Sequence, residues 1–150
     1  MELIDYNNEH KKELNTWQDI ELQRGENGIE DFVSAKGVKL GDYIEYFSRE
    51  INLISKIVID NDNVVGFVCY VINEDNSAHV EIMGTHPNFR GKGYARKILE
   101  TLKEDIKKTL GIKKITLAVN KKNKQGIKSF SKFTNPNEEF SSENYIGLEL

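Results

Sequence analysis

One cysteine, two prolines and no apolar run long enough to cross a bilayer are what this 150-residue sequence offers least of. With Cys69 alone, no intramolecular disulfide can form, which fits a reducing compartment and a cytoplasmic protein. The longest apolar-rich stretch, Val64 to Ile72, falls far short of the roughly 20 residues a spanning helix needs, so no membrane is expected as a partner. The first twenty residues scatter Glu2, Asp5, Glu13 and Asp19 among short apolar stretches, which does not read as a signal peptide. An excess of positive charge is missing too. The net charge of -3 argues against a nucleic-acid partner, while leaving room for a local basic patch. No internal repeat, low-complexity segment or Pro/Gly/Ser linker divides the chain, so a single domain over residues 1–150 is expected. Hydrophobic residues at 38% and charged residues at 30% suit a soluble, folded core rather than disorder.

What is present has a clear order. Met1 to Tyr6 reads as a short opening strand. Two amphipathic helices follow, over Glu9 to Ile20 with Leu14 and Trp17 on one face, and over Leu40 to Ile51 with Tyr43, Ile44 and Phe47. Between them Gln23 to Gly28 is polar with two glycines and reads as a loop. Leu53 to Ile59 and Val64 to Ile72 are β-branched strands. The Asp60-Asn61-Asp62-Asn63 stretch between them favours a hairpin turn. Asn73 to Ser77 is a second turn into a strand from Ala78 to about Gly84. A helix beginning near Lys92 then carries Ile98, Leu99, Leu102, Ile106 and Leu110 on one face, with Gly111 placed for a left-handed cap. Lys113 to Asn120 is a strand, followed by a short helix with Ile127, Phe130 and Phe133. Pro136 is expected to end that helix, and Tyr145 to Leu150 makes the last strand. A helix between the strands at Ala78 and Lys113 makes them parallel neighbours, so the fold expected is a mixed α/β sheet with helices on both faces.

The stretch with chemical content is His86-Pro87-Asn88-Phe89-Arg90-Gly91-Lys92-Gly93-Tyr94-Ala95, where a strand meets a helix. Glycines there let the main chain approach a ligand, and a helix start exposes unpaired N–H groups at its positive end, which suits a phosphate or pyrophosphate. Arg90 and Lys92 add cationic donors. A nucleotide P-loop fails because Gly93 follows Lys92 where Ser or Thr is required. A dinucleotide fingerprint fails because Arg96 stands at its third glycine. A plain strand-to-helix turn with no ligand stays open.

Arg90-x-x-Gly93-x-Ala95 resembles the acyl-CoA loop of the GNAT acetyltransferase superfamily, which reads Arg/Gln-x-x-Gly-x-Gly/Ala. Met83-Gly84-Thr85-His86-Pro87 looks like that family's strand end before the loop, and Val64-Val65-Gly66-Phe67 is similar to its Val-Gly-Phe strand. Asn123 matches the asparagine that opens its next helix. The resemblance covers Val64 to Phe133. It implies a mostly antiparallel sheet around a central β-α-β crossover, and an enzyme that moves an acetyl group from acetyl-CoA to an amine, with no metal. It also implies that the N–H groups of Gly91, Lys92, Gly93, Tyr94 and Ala95 hold the pyrophosphate. Met83 and Thr85 would pair through their main chain with the pantetheine arm, and Asn123 would bond the pantetheine amide. Asn123 also fits a plain helix cap. The resemblance leaves room for a homodimer.

The chain departs from the pattern at one place. The family's tyrosine in the last helix, which can protonate the departing thiolate, is Phe130 here. The thiolate then leaves unaided, another group serves, or the protein is a non-catalytic acyl-CoA sensor. Strand alternation is expected to put His79, Glu81 and Met83 on one face. Glu81 is the candidate base, against the reading of an ordinary solvated glutamate, and His79 is the second candidate. His86 is expected to shape its turn and Cys69 to pack the core. Lys121, Lys122, Lys124, Lys128 and Lys132 read as a solvated face, with Lys124 or Lys128 able to reach the 3′-phosphate of CoA. Trp17, Asp19, Glu21, Glu45 and Tyr46 form an acidic-aromatic wall that would suit a cationic acceptor, although an ordinary amphipathic surface is the better reading there.

Overall fold

A computed structural model of the chain describes residues 1–24 and 39–150, with every side chain among them except those of residues 18–24 and 47. β1 (Glu2–Asp5) leads into α1 (Asn8–Arg24), and α2 (Leu40–Glu50) precedes a meander of β2 (Ile54–Asp60), β3 (Asn63–Ile72) and β4 (Ala78–Thr85). A 3-10 turn at Pro87–Phe89 then opens onto α3 (Tyr94–Leu110), followed by β5 (Ile115–Asn120) and α4 (Lys124–Phe130). The two-residue β6 (Asn135–Pro136), a second 3-10 turn at Glu138–Phe140 and β7 (Tyr145–Glu149) complete the chain.

These strands form one sheet in the order β1-β2-β3-β4-β5-β7-β6. Every neighbouring pair is antiparallel except β4 and β5, which the α3 crossover makes parallel. The β2–β3 hairpin turns on Asn61 and Asp62, both at positive φ (49° and 65°), the two-residue turn whose twist matches its strands. α3 ends as its glycine suggests. Gly111 is left-handed, its N–H donating to Lys107 O at 3.1 Å and that of Ile112 to Ile106 O at 3.2 Å.

Two cores result, one on each face. Ile98, Leu99, Leu102 and Ile106 of α3 pack on Val58, Val68, Tyr70, Val80, Ile115 and Leu117. Each such aliphatic side chain contributes about 1.5–3 kcal/mol when fully buried. On the other face Leu14 and Trp17 of α1, with Leu40 and Ile44 of α2, cover Ile57, Phe67 and Cys69. Lys11 ties the two helices together, reaching Glu45 at 2.6 Å and Asp42 at 3.1 Å.

Several boundaries differ from expectation. α3 starts at Tyr94 rather than near Lys92, because Gly91 and Gly93 are left-handed and cannot belong to a right-handed helix. α4 stops at Phe130, leaving Phe133 in the turn beyond it. Pro136 does not end that helix but sits in edge strand β6, where a residue without an N–H is tolerated. Gln23 and Arg24 close α1, and the rest of the loop expected to Gly28 lies outside the described residues, as does the Phe47 side chain. Among the described residues no helix is long and apolar enough to cross a membrane.

Candidate active site

The parallel pairing of β4 with β5 covers only Ala78, His79 and Val80, and then the two strands part. Against β3, Val80 lies opposite Tyr70 and Ile82 opposite Cys69, so Glu81 is an extra residue that bulges the strand. Before the bulge, Ala78 N–H donates toward β5, to Lys114 O at 3.0 Å. Beyond it, His86 N–H donates toward β3, to Val65 O at 2.8 Å. Alternation then sends the main-chain groups of Gly84 to β3 and those of Met83 and Thr85 to the side that β5 has left. A cleft opens there along the strand edge that β5 no longer pairs.

The bulge also corrects the expected facing. Met83 pairs with Val68 and packs against the α3-side core, whereas Glu81 acts on Tyr43 of α2 on the opposite side. His79 and Glu81 therefore do not share a face with Met83, since one extra residue breaks a period of two. Glu81 stays exposed, yet the protein around it displaces enough water to push its carboxyl above the usual carboxylate range. His79 is differently placed. It is 9% exposed, shares a 2.7 Å hydrogen bond through Nδ1 with Thr116 Oγ1, and stacks on Phe140 at 4.1 Å. Burial pushes its imidazole down, with Glu139 opposing. It sits where β4 and β5 are still paired, packed as a core group rather than open to the cleft.

The loop after β4 is held from behind. His86 Nδ1 accepts from Asn88 N–H at 3.0 Å, and its ring meets Trp17 at 5.1 Å and Phe89 at 5.6 Å. Arg90 Nε donates to Thr85 O at 3.2 Å, bracing the loop to the strand end. Gly91 and Gly93 have φ of 72° and 78°, and a Cβ built on either meets nothing within 4 Å. No side chain caps α3 at Gly93. The first turn of α3, which includes Ala95, thus presents backbone N–H groups over open space, a cradle that a phosphate fits. Lys92 lies over the Phe89 ring at 5.6 Å. Tyr94 packs edge-on to Phe89 at 5.6 Å and donates from its hydroxyl to Asp60 Oδ2 at 2.9 Å, which raises the phenol above its ordinary value.

Asn123 caps α4, its Oδ1 accepting from Gly126 N–H at 2.9 Å and leaving its amide nitrogen as a donor. Phe130 packs against the α3-side core and lies edge-on to Phe133 at 6.0 Å. Cys69 is buried with its thiol pushed up to about 12, a core residue and not a nucleophile. Lys121, Lys122, Lys124, Lys128 and Lys132 are exposed. The acidic-aromatic wall is largely dismantled. Trp17 is 1% exposed in the core, and Glu45 is taken up by Lys11 at 2.6 Å and Arg49 at 2.7 Å. Tyr46 remains exposed, and the side chains of Asp19 and Glu21 lie outside the described residues. Tyr43, read from the sequence only as part of an apolar helix face, is mostly buried on α2, and burial first, then the charge of Glu81, pushes its phenol up. Its helical spacing from Leu40 and Ile44 was the sole signal.

Comparison with known proteins followed the same lines. No curated protein shows a significant sequence match. Among solved structures, the PaiA N-acetyltransferase of Thermoplasma acidophilum in complex with coenzyme A superposes with a TM-score of 0.69 at 18% identity, over 99% of this chain and 96% of that one. An acetyltransferase of the GNAT family from Staphylococcus aureus gives 0.67 at 18% identity, over 99% and 96%. The Campylobacter jejuni N-acetyltransferase PseH gives 0.66 at 12% identity, again over 99% and 96%. At such identities the likeness is one of fold. The family profile described as "Acetyltransferase (GNAT) family" matches residues 16–134, which takes in the bulged strand, the glycine loop and α4 together, and the chain belongs to the GNAT acetyltransferase family.

Proposed function

We propose that this protein is an N-acetyltransferase that takes an acetyl group from acetyl-CoA and places it on the nitrogen of an amine. The observation carrying this reading is the alignment of two features at one end of the sheet. The edge of Met83 and Thr85 that β5 leaves unpaired runs directly into the uncapped loop at Gly91 and Gly93. In this reading the N–H groups of Gly91, Lys92, Gly93, Tyr94 and Ala95 take the pyrophosphate, and Met83 and Thr85 pair with the pantetheine arm as a strand edge would. Asn123 donates to the pantetheine from its amide nitrogen. Bound acetyl-CoA supplies an acyl group already activated as a thioester.

An amine reaches the cleft mostly as ammonium and attacks only after losing a proton. Glu81 takes that proton, directly or through a water. Its carboxyl, raised by desolvation, is a better base than an ordinary surface glutamate. His79 is not assigned this role, because its ring is closed off by Thr116 and Phe140. Phe130 carries no proton, and the Tyr94 hydroxyl is already given to Asp60, so neither supplies an acid to the leaving thiol. A thiolate whose thiol has a pKa near 8.5 is a weak enough base to leave without one.

The test is thiol release from acetyl-CoA in the presence of 1,4-diaminobutane, tyramine or an alanine-initiated peptide. Glu81→Gln is expected to lower kcat/KM for the amine by roughly 10²- to 10⁴-fold with the acetyl-CoA KM unchanged. Tight acetyl-CoA binding with no amine-dependent thiol release across such a panel would favour a sensor instead.

A further inference from the structure

The two glycines that open the loop before α3 also loosen it. Glycine loses more conformational freedom on ordering than any other residue, and Gly91 and Gly93 flank Lys92 where the N–H groups must converge. A cradle of backbone donors binds tightly only if its geometry is held before the ligand arrives. Arg90 holds the near end, its Nε donating to Thr85 O at 3.2 Å. The far end is held from another strand. Tyr94, the first residue of α3, donates from its hydroxyl to Asp60 Oδ2 at 2.9 Å, across 34 residues of sequence. Asp60 closes β2, pairs with Asn63 and leads into the left-handed Asn61-Asp62 turn, so its carboxylate projects from the tight end of a hairpin. Its other oxygen, Oδ1, lies 3.9 Å from the Met1 amino nitrogen. The Tyr94 ring is fixed as well, edge-on to Phe89 at 5.6 Å and under Lys97 Nζ at 5.1 Å.

We infer that Asp60 is a positioning residue for acetyl-CoA, holding the start of α3 through the Tyr94 hydroxyl so that the N–H groups of Gly91 to Ala95 are in place for the pyrophosphate. The inference rests on the reading of that loop as the pyrophosphate site. A phenol donating to a carboxylate makes one of the stronger hydrogen bonds available to side chains. With Arg90 tied to β4 and Tyr94 tied to β2, the two glycines lie between two anchors, free to adopt left-handed backbone but not to drift. By charge alone, a carboxylate one tyrosine side chain away from a phosphate site opposes the ligand. Its value there lies in the hydrogen bond, and an acceptor without the charge should serve as well.

The experiment is isothermal titration of acetyl-CoA and of CoA into the wild-type protein, Asp60→Ala, Asp60→Asn, Tyr94→Phe and the double variant Asp60→Ala/Tyr94→Phe, with a ligand-free melt of each. Asp60→Ala and Tyr94→Phe should each raise the Kd about tenfold, the lower end of what a hydrogen bond to a charged group contributes. The rise should be equal for acetyl-CoA and CoA, because both carry the pyrophosphate. The double variant should bind no worse than either single one, since both remove the same bond. Asp60→Asn keeps an oxygen that accepts from Tyr94 and a residue suited to the turn, so its Kd should stay within about threefold of wild type. An unchanged or tighter Kd in Asp60→Ala, losses that multiply in the double variant, or no rescue by asparagine overturns the inference. A lowered ligand-free Tm with the Kd unmoved overturns it too, marking a structural contact only. Wild-type protein that binds neither acetyl-CoA nor CoA overturns the reading of the loop itself.

Discussion

Gly93 bears the most direct test of the cofactor site, because strain and ligand contact separate cleanly there. Its φ of 78° lies in the left-handed region, and the space where a Cβ would stand is open to 4 Å. An alanine therefore pays only for backbone conformation, about 1–2 kcal/mol. In a chain of this size each kcal/mol corresponds to about 2–4 °C, so Gly93→Ala should lower the ligand-free Tm by roughly 2–8 °C. Asparagine tolerates left-handed backbone, so Gly93→Asn should lie close to wild type without ligand. Acetyl-CoA at a hundred times its Kd should stabilise the wild-type protein by about 2.7 kcal/mol, a rise of roughly 5–11 °C. In Gly93→Asn the new side chain occupies the space over the α3 N-terminus where the phosphates would come. A tenfold weaker affinity leaves about 1.4 kcal/mol at the same concentration, halving the rise. The assay is a thermal melt with and without acetyl-CoA, with ATP and NAD as controls. If Gly93→Asn keeps the full wild-type rise, the pyrophosphate is not held at this helix start.

Phe130→Tyr restores the hydroxyl that the family pattern carries, and the ring it keeps still packs on the α3-side core. Thiol release with weakly basic amines should rise if departure of the thiol limits the rate, and an unchanged kcat would mean it does not. His79 gives a stability signature. Burial lowers its folded pKa below the ordinary 6.5, so the unfolded chain binds the proton first and stability falls as pH drops from about 6.5 toward the folded value. The slope is at most about 1.4 kcal/mol per pH unit. His79→Gln should flatten that window in urea melts between pH 5 and 8, and an unchanged slope would show that another group titrates.

Much of this architecture was legible because its signals are local. Asn61 and Asp62 tolerate left-handed backbone and mark their hairpin, and Gly111 followed by Ile112 marks a helix end. The left-handed backbone at Gly91 and Gly93 was legible for the same reason, since the conformation glycine allows is the one they adopt. The bulge was not. Ala78 to Thr85 reads as an unbroken strand, and only the pairing with β3 reveals that Glu81 has no place in the ladder. Trp17 was misplaced on an open wall because a helix period shows that a face is apolar, not what covers it, and here Phe67 and His86 do. β6 and the 3-10 turn at Glu138–Phe140 are too short to carry any period, and β6 is defined by its pairing with β7 rather than by its own residues. Phe140 of that turn stacks on His79, so the packing of the histidine was equally invisible.

The bulge at Glu81 has a consequence for how fold and chemistry are divided along this strand. With Glu81 removed, Val80 and Ile82 would become neighbours and continue the same alternation, Val80, Met83 and Thr85 to one side and His79, Ile82 and Gly84 to the other. Every core contact of β4 would keep its phase. The strand is thus complete without the residue proposed to do its chemistry, and Glu81 is an insertion that the hydrophobic pattern neither requires nor forbids. Bulges also bend and twist the strand that bears them. A chain lacking Glu81 would straighten at the point where β4 now leaves β5, inviting the parallel pairing to run on past Val80 and seal the cleft. A single dispensable residue would then account for both the opening of the sheet and the carboxylate beside it, and its deletion should trade activity for a more regular and more stable ladder.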